Sequence, residues 1–457
     1  MSYHIIDPIY HQGASNTVFE IPIENQSVFD PDLVLVNVGS YISTPAANIA
    51  NIGTLNLQYP ALTGVYASIK NITLRLNTVP VEICRDVGHI QTVKNLSEAN
   101  GAAANVHART LRVLNSYEIE NGKIDVKMFN MNNKLGTSSD PLAATSCSGA
   151  ISLANVFGCL NSMVASQPKQ MFHSKYLTLR LEIEWNTTPT TFNMTASTAT
   201  DLDAAHINAL QVSAFQPSLI VKKYTNAAFV ANVTEQYNKG FSVDFSAWLS
   251  ERANLADYTA GNTIITPYRI KSCIGKVCTR AVVQTQYNFS PTTSYNDGVN
   301  NFSGARQWML YGGNVCGQYY STPNDKEVMK LYVNNLQFLP DQQCNTLAMK
   351  NLHRDMTLGP SLQLMPHCDL VTADADENPY MTSEVVDVHK VQSWYAFNIN
   401  TRPEDFQVEY TKTKNANDFL YAYNNGTDNG LPQVQTWRFE YAKIMSIMGT
   451  NVISSDV

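Results

Sequence analysis

Alternation of apolar and polar residues is the strongest pattern along this chain. Every second residue of YLTLRLEIEW (176–185) is apolar, from Leu177 to Trp185, and polar or charged residues occupy the positions between. Because successive side chains of a strand point to opposite sides of a sheet, the pattern predicts a strand with one buried and one solvated face. Similar patterns predict strands at DLVLVNVG (32–39), SIKNITLRL (68–76), KIDVKMF (123–129), KVCTRAVVQTQY (276–287), VMKLYVNNLQFL (328–339) and QTWRFEYAKIMSI (435–447).

One strand pattern occurs twice. LEIEW (181–185) returns as FQVEY (406–410), and each copy is followed by a polar loop and another predicted strand, which starts at 207 in the first copy and at 434 in the second. Trp185 is followed by Val212 after 27 positions, and Tyr410 is followed by Trp437 after the same number. Matched spacing indicates a duplicated unit, with a boundary near 222–226, although alternation alone is common in β proteins.

Helices are few in the predicted pattern. The best candidate is 148–168, where apolar residues recur at helical spacing and Pro168 marks the end. A weaker candidate lies at 245–255. Polar runs at 131–147, 290–304 and 372–383 are interpreted as loops. Many strands with few helices and large polar loops favour antiparallel sandwiches of the Greek-key or jelly-roll type.

Length and charge narrow the class of protein. The chain has 457 residues, which exceeds the size of a single hydrophobic core and predicts two domains. Its net charge is −7 and its basic residues are scattered, so the sequence predicts no direct grip on nucleic acid through phosphates. Its first residues lack the pattern of a signal peptide, and no segment is apolar over the length of a membrane span.

No familiar catalytic or metal-binding motif occurs in the sequence. The cluster PHCDLVTADADENP (366–379) contains good metal ligands, but His367, Cys368 and Asp369 are consecutive and cannot converge in a strand, so a solvated loop is favoured. The eight cysteines contain no CxxC pair and are interpreted as reduced thiols. Cys273 and Cys278 are favoured as two half-buried thiols over a disulfide or metal pair. We therefore predict no catalytic, cofactor-binding or metal-binding residues and no enzymatic activity.

Two carboxylates on the repeated strand need a separate interpretation. Glu182 and Glu184 could form the acid pair of a glycosidase. They lie on the face opposite Trp185 and next to Arg180, however, so a row of solvated or interface charges is the favoured interpretation.

Four stretches of the chain together resemble the double jelly-roll major capsid proteins of virophages, Polinton-like viruses and nucleocytoplasmic large DNA viruses. They are LVLVNVGSYIS with LTGVYASIKNITLRL, then ISLANVFGCLNSM leading to QPKQMFHSKYLTLRLEIEWN, then KLYVNNLQFLPDQQ, and finally FQVEYTKTK with WRFEYAKIMSI. Each pattern is weak alone, and their order and spacing across most of the chain carry the resemblance. The region 224–265 fits the family pattern only loosely.

The resemblance implies an all-β fold of two tandem eight-stranded antiparallel jelly-roll sandwiches with short helices in loops. The expected division is an N-terminal arm at 1–15, a first jelly roll at 16–223 and a second at 224–457. It implies a major capsid protein of a double-stranded DNA virus, which forms pseudo-hexagonal homotrimers that tile an icosahedral shell. Implied partners are neighbouring capsomers, minor capsid and penton proteins, and an internal membrane, with no sequence-specific nucleic-acid binding. The implied location is the virion capsid, with assembly in the cytoplasm or viral factory of the host cell.

Three expectations remain open at the level of sequence. The arm reaches either a neighbour or an underlying minor protein, or it packs on its own domain. Aromatic residues are candidate anchors between subunits, namely Trp248, Trp308, Tyr319 and Tyr320. The alternative function is a carbohydrate-binding or fibre protein built from β-sandwiches, which would need exposed aromatic residues for sugar stacking, whereas Trp185 and Trp437 lie on faces that the pattern predicts to be buried.

Overall fold

The computed structural model describes a predominantly antiparallel β protein. The described residues are 1–21, 27–43, 55–58, 64–88, 90–91, 94, 117–120, 123–126, 135, 148–187, 193–196, 211–255, 263–287, 327–337, 342–343, 369–370, 386–387, 394–413 and 433–457.

The first half of the chain contributes sixteen strands, a 3₁₀ turn at Gly64–Ser68 and short helical segments to this described part. The strands are β1 (Ser2–Ile6), β2 (Tyr10–His11), β3 (Asn16–Ile21), β4 (Val28–Phe29), β5 (Val34–Ile42), β6 (Leu55–Gln58), β7 (Ile69–Leu76), β8 (Val79–Arg85), β9 (Tyr117–Glu120), β10 (Lys123–Val126), β11 (Ser148–Ser152), β12 (Phe172–His173), β13 (Leu179–Trp185), β14 (Asn193–Ala196), β15 (Val212–Ala214) and β16 (Ser218–Tyr224). The helices are α1 (Leu153–Val156) and α2 (Gly158–Ala165).

The second half begins with helix α3 (Ala227–Lys239). Its described strands are β17 (Phe241–Asn254), β18 (Thr263–Arg269), β19 (Cys278–Tyr287), β20 (Glu327–Val333), β21 (Leu336–Gln337), β22 (Gln342–Gln343), β23 (Asp369–Leu370), β24 (Val386–Asp387), β25 (Trp394–Thr401), β26 (Phe406–Thr413), β27 (Gln433–Met448) and β28 (Asn451–Asp456).

The two halves use one strand order. Eight main strands of the first half form two sheets, in the orders β1–β16–β5–β11 and β3–β13–β7–β8. Eight strands of the second half repeat this with β17–β27–β19–β25 and β18–β26–β20–β21. When the eight main strands of each half are numbered 1 to 8 in chain order, both halves have the sheet orders 1-8-3-6 and 2-7-4-5. This is the jelly-roll arrangement. Among the described strands, none pairs with a strand of the other half.

The repeated segment forms the same strand in both sandwiches. β13 lies between β3 and β7, and β26 lies between β18 and β20. The predicted faces are confirmed, since the apolar residues of both segments are buried. In the second sandwich, Phe406 contacts Trp437 and Phe439 of the opposite sheet at ring-centroid distances of 5.5 and 5.3 Å. The alternating residues therefore build the core between two sheets.

The equal spacing of 27 positions does not mark equivalent residues, however. Val212 pairs with Ile42 at the end of β5, whereas Trp437 pairs with Val283 in the middle of β19. The predicted strand that starts at 207 is two strands, β15 and β16, and Pro217 lies between them. Proline has no N–H for a sheet and interrupts the pairing.

The helix predictions are corrected in two places. The segment 148–168 begins with the strand β11, and only its later part forms α1 and α2. The predicted helix at 245–255 is wrong, because these residues belong almost entirely to β17, which pairs with β27 along its whole length. The true helix of this region is α3, whose first turn is capped by the Asn226 side chain, which accepts the Phe229 N–H.

The predicted N-terminal arm is a strand of the first sandwich. Residues 2–6 pair with residues 219–223 of β16 in antiparallel register, and Tyr10–His11 pair with β3. The Ile6 side chain packs against the core cluster. Residues 2–6 and 10–11 therefore pack on their own sandwich, and removing residues 2–14 would remove a strand from a sheet.

Candidate functional site

The two sandwiches meet where helix α2 of the first lies against strand β17 of the second. A Cβ atom added at Gly158 would lie 1.9 Å from the carbonyl oxygen of Ser246 and 3.4 Å from the Phe245 ring. The backbones of Gly158 and Ser246 therefore lie closer together than a residue with a side chain at position 158 would allow. The glycine fixes the distance between the sandwiches.

A buried carboxylate holds the beginning of α2. Both oxygens of Glu82, on β8, accept backbone N–H groups, from Gly158 and from Cys159, each at 3.0 Å. The first N–H groups of a helix have no partner within the helix, and a carboxylate is a favourable partner for them. Burial raises the pKa of Glu82, and the two N–H bonds oppose that shift.

Polar contacts extend this junction along β17 and β27. Asp86 accepts hydrogen bonds from the Ser250 hydroxyl at 2.8 Å and the Arg252 guanidinium at 3.4 Å. The Lys443 ammonium and the Ser454 hydroxyl both donate to the Val81 carbonyl oxygen, at 3.1 and 3.0 Å. Strand β8 and the residue that follows it are thus bonded to three strands of the second sandwich, β17, β27 and β28.

Helix α3 makes a second connection between the halves. The Tyr237 hydroxyl donates to the Met171 carbonyl oxygen at 3.0 Å and accepts the His173 N–H at 3.1 Å. Its ring stacks on Tyr176 with a centroid distance of 5.3 Å, and the Gly449 N–H donates to its carbonyl oxygen. One fully buried tyrosine therefore binds the first sandwich, its own helix and the end of β27.

The predicted row of charges on β13 is confirmed. Lys70 lies 2.6 Å from Glu184, and Arg180 lies 2.9 Å from Glu182. The hydrogen bonds from Lys70 and Asn71 lower the pKa of Glu184. The two carboxylates thus bond to cations of the same sheet face.

One of the four candidate aromatic anchors lies in the described part of the chain, and it is buried. Trp248 is 6% exposed and contacts the Arg280 guanidinium, so it is wrong as an anchor for a neighbouring subunit. Trp308, Tyr319 and Tyr320 lie outside the described residues. Trp185 and Trp437 are buried, as the strand pattern predicts.

The cysteine prediction is confirmed where the chain is described. Cys84, Cys159, Cys273 and Cys278 are buried free thiols. Cys273 and Cys278 were predicted to be half-buried and are instead fully buried, and burial raises the pKa of the Cys278 thiol to about 11. They share a contact from the Cys278 thiol to the Cys273 carbonyl oxygen at 3.9 Å.

Of the acidic cluster at 366–379, only Asp369 and Leu370 are described, as β23. In the described ranges, no three His, Cys, Asp or Glu side chains come together as metal ligands. No helix within those ranges is both long and apolar enough to cross a bilayer.

Sequence reasoning did not find the residues that join the sandwiches. Glu82, Asp86 and Gly158 carry no motif, because their partners lie between 76 and 166 residues away along the chain. The signals that existed were a lone glycine at the start of a helix and a glutamate inside a β-branched strand.

No family model matches the sequence, and no curated protein matches it. The fold is nevertheless similar to solved viral structures. VP54 of PBCV-1, as fitted into a reconstruction of the virophage Sputnik, superposes with a TM-score of 0.55 at 10% identity, over 100% of this chain and 97% of that chain. A chain of the PBCV-1 virus capsid gives 0.52 at 11% identity, over 100% and 97%. A chain of the Sputnik virophage gives 0.52 at 9% identity, over 100% and 88%. The resemblance inferred from the sequence is therefore confirmed at the level of fold: this chain has the double jelly-roll architecture of viral major capsid proteins.

Proposed function

We propose that this chain is a major capsid protein that assembles into pseudo-hexagonal homotrimers, which tile an icosahedral viral shell. The observation that carries the proposal is the repeated strand order, 1-8-3-6 and 2-7-4-5 in both halves of one chain. The similarity of the whole chain to capsid structures supports it. We place the boundary between the sandwiches near 223 and 224.

The mechanism is assembly. Three copies around a threefold axis present six similar sandwiches, so the trimer has a nearly hexagonal outline. A closed threefold ring needs heterologous contacts, in which the first sandwich of one copy meets the second sandwich of the next. Hexagonal blocks then pack edge to edge into a flat facet.

The same proposal sets partners and location. The trimers contact neighbouring capsomers, minor capsid and penton proteins and an internal membrane, and they make no sequence-specific contact with the genome. The protein resides in the virion capsid after assembly in the host cell, in the cytoplasm or a viral factory. Its role is structural rather than catalytic.

Electron microscopy of the purified protein tests the proposal. We expect particles of hexagonal outline, and ordered sheets or shells at high concentration. A glycan array serves as the parallel test of the carbohydrate-binding alternative. Elongated fibres, or particles without threefold or sixfold symmetry, together with specific glycan binding, would overturn the capsid assignment.

A further inference from the structure

Exposed apolar side chains are concentrated at the beginning of the chain. Among the described residues, eleven large hydrophobic side chains are exposed, and five of them lie within the first ten positions: Met1, Tyr3, Ile5, Ile9 and Tyr10. Single exposed apolar residues are normal, but a cluster is typical of a contact surface. The surface considered below is the pair Tyr3 and Ile5, which are 62% and 72% exposed.

Both residues lie on the outer face of the first sandwich. Tyr3 pairs directly with Lys222, and Ile5 pairs with Ile220. The residues next to these on β16, Leu219 and Val221, are buried in the core. Since neighbours along a strand point to opposite sides, Tyr3 and Ile5 point away from the core.

The corresponding face of the second sandwich is already covered within the chain. β17 is the first strand of that sandwich, as β1 is of the other, and each pairs with the eighth. Ser250 pairs with Arg438, whose neighbours Trp437 and Phe439 face the core, so Ser250 and Arg438 lie on the outer face. There Asp86 of the first sandwich accepts a hydrogen bond from Ser250 of β17, and the neighbouring Arg438 is completely buried.

The strand of the first sandwich that contacts the outer face of β17 is β8, and β8 has a counterpart in the second sandwich. Strand β8 pairs with β7 across a tight turn from Leu76 to Val79. In the second sandwich β21 pairs with β20 across the equivalent turn, from Val333 to Leu336. Val79 is partly buried against the core cluster, whereas Leu336 is 73% exposed. Within the chain, β8 already contacts the outer face of β17. The two surfaces that would make the same contact a second time, the outer face of β1 and the β20–β21 hairpin, are both exposed.

We infer that the outer face of β1, centred on Tyr3 and Ile5, packs against the β20–β21 hairpin around Leu336 of a second copy of this chain. The contact repeats between chains the one that β17 and β8 make within a chain. A head-to-tail contact that repeats closes into a ring when its rotation completes a full turn, as three rotations of 120° do in the proposed trimer. The inference rests on the proposed trimer and specifies which surfaces close it.

Charge substitutions at the two surfaces test the contact. Ile5→Lys and Leu336→Glu are each expected to raise the concentration at which trimers dissociate by about tenfold or more, because each buries an unpaired charge. The double variant Ile5→Lys with Leu336→Glu is expected to recover most of that loss, since the new charges face each other. Ile453→Glu changes an isoleucine of similar exposure, 65%, outside both surfaces and is expected to leave the trimer unchanged.

Analytical ultracentrifugation gives the readout, with circular dichroism and melting temperature to show that each variant is folded. Tyr3→Lys serves as a second probe of the same face if Ile5→Lys does not fold. Trimers that resist either single substitution would overturn the inference, as would losses that merely add in the double variant. A wild-type protein that forms no trimer would instead overturn the proposed function, so the two failures are distinguishable.

Discussion

Asn77 and Asn334 occupy the same position in the two sandwiches and make the same contacts. Each adopts a left-handed backbone conformation, with φ of 55° and 54°, in the turn between the fourth and fifth main strands. The side-chain Oδ1 of Asn77 accepts the Thr178 N–H at 2.8 Å, and the side-chain Oδ1 of Asn334 accepts the Glu404 N–H at 2.7 Å. Both acceptors hold the backbone just before the repeated strand, so the duplication extends from strand order to individual hydrogen bonds.

Replacing either asparagine with alanine is expected to lower the free energy of unfolding by about 3 kcal/mol, because the left-handed conformation costs alanine about 1–2 kcal/mol and the side-chain bonds are lost. The matched variants Asn77→Gly and Asn334→Gly keep the backbone conformation and lose only the bonds, so we expect about half the effect. Chemical denaturation monitored by tryptophan fluorescence measures both. Equal losses for alanine and glycine would show that the backbone conformation contributes nothing.

Gly158→Ala is expected to destabilise the protein by about 3 kcal/mol, because the added methyl group overlaps the Ser246 carbonyl oxygen and forces the two sandwiches apart. Gly275→Ala is the control. That glycine has a φ of +77° but no atom within 4 Å of an added Cβ, so only a conformational cost of about 1–2 kcal/mol applies. Differential scanning calorimetry compares them, and a Gly158→Ala variant as stable as Gly275→Ala would contradict the close contact.

Stability should depend on pH through Glu82. Its folded-state pKa is raised above the ordinary value of 4.5, chiefly by burial, so folding favours the protonated form. The resulting stabilisation is fully present below pH 4.5 and is lost as the pH rises through the folded-state pKa. The free energy of unfolding of the wild type, minus that of Glu82→Gln, is therefore expected to fall as the pH rises from 4 towards neutrality. A difference that grows over that interval would reverse the assigned shift.

Tyr237→Phe removes a hydroxyl that bonds two buried backbone groups, Met171 C=O and His173 N–H. Leaving both without this partner is expected to cost about 2–3 kcal/mol. Tyr176→Phe is the matched control, because its partly exposed hydroxyl bonds only the Asn238 side chain, at 3.2 Å, and water can replace that bond. Urea denaturation of the two variants measures the difference, and similar losses would argue against Tyr237 as a buried connection between α3 and the first sandwich.

Local alternation was sufficient to predict the strands that carry the core. The faces of β13 and β26 follow from period-2 spacing alone, because each strand buries one side. The segment 245–255 is predicted from the sequence as a helix, although it forms most of β17. In the folded chain that strand is covered on both sides, by its own core and by the first sandwich, so simple alternation is lost.

The contacts between sandwiches lay beyond sequence reasoning. Gly158 meets a carbonyl oxygen of the other half, and Glu82 supports this junction from within the first sandwich by holding two N–H groups of α2 that lie 76 and 77 residues away. Nothing in the local pattern around these residues encodes such a partner. The sequence predicts an arm at residues 2–6 for the same reason, since their partner strand β16 follows more than two hundred positions later.

The central claim is that three chains, each with two matched sandwiches, associate into a trimer of hexagonal outline. The mass of the purified protein in solution tests this claim most directly. Light scattering coupled to size exclusion at micromolar concentration is expected to give about 152 kDa, three times the chain mass of 50.7 kDa. A single monodisperse species of 50.7 kDa under these conditions would contradict the account.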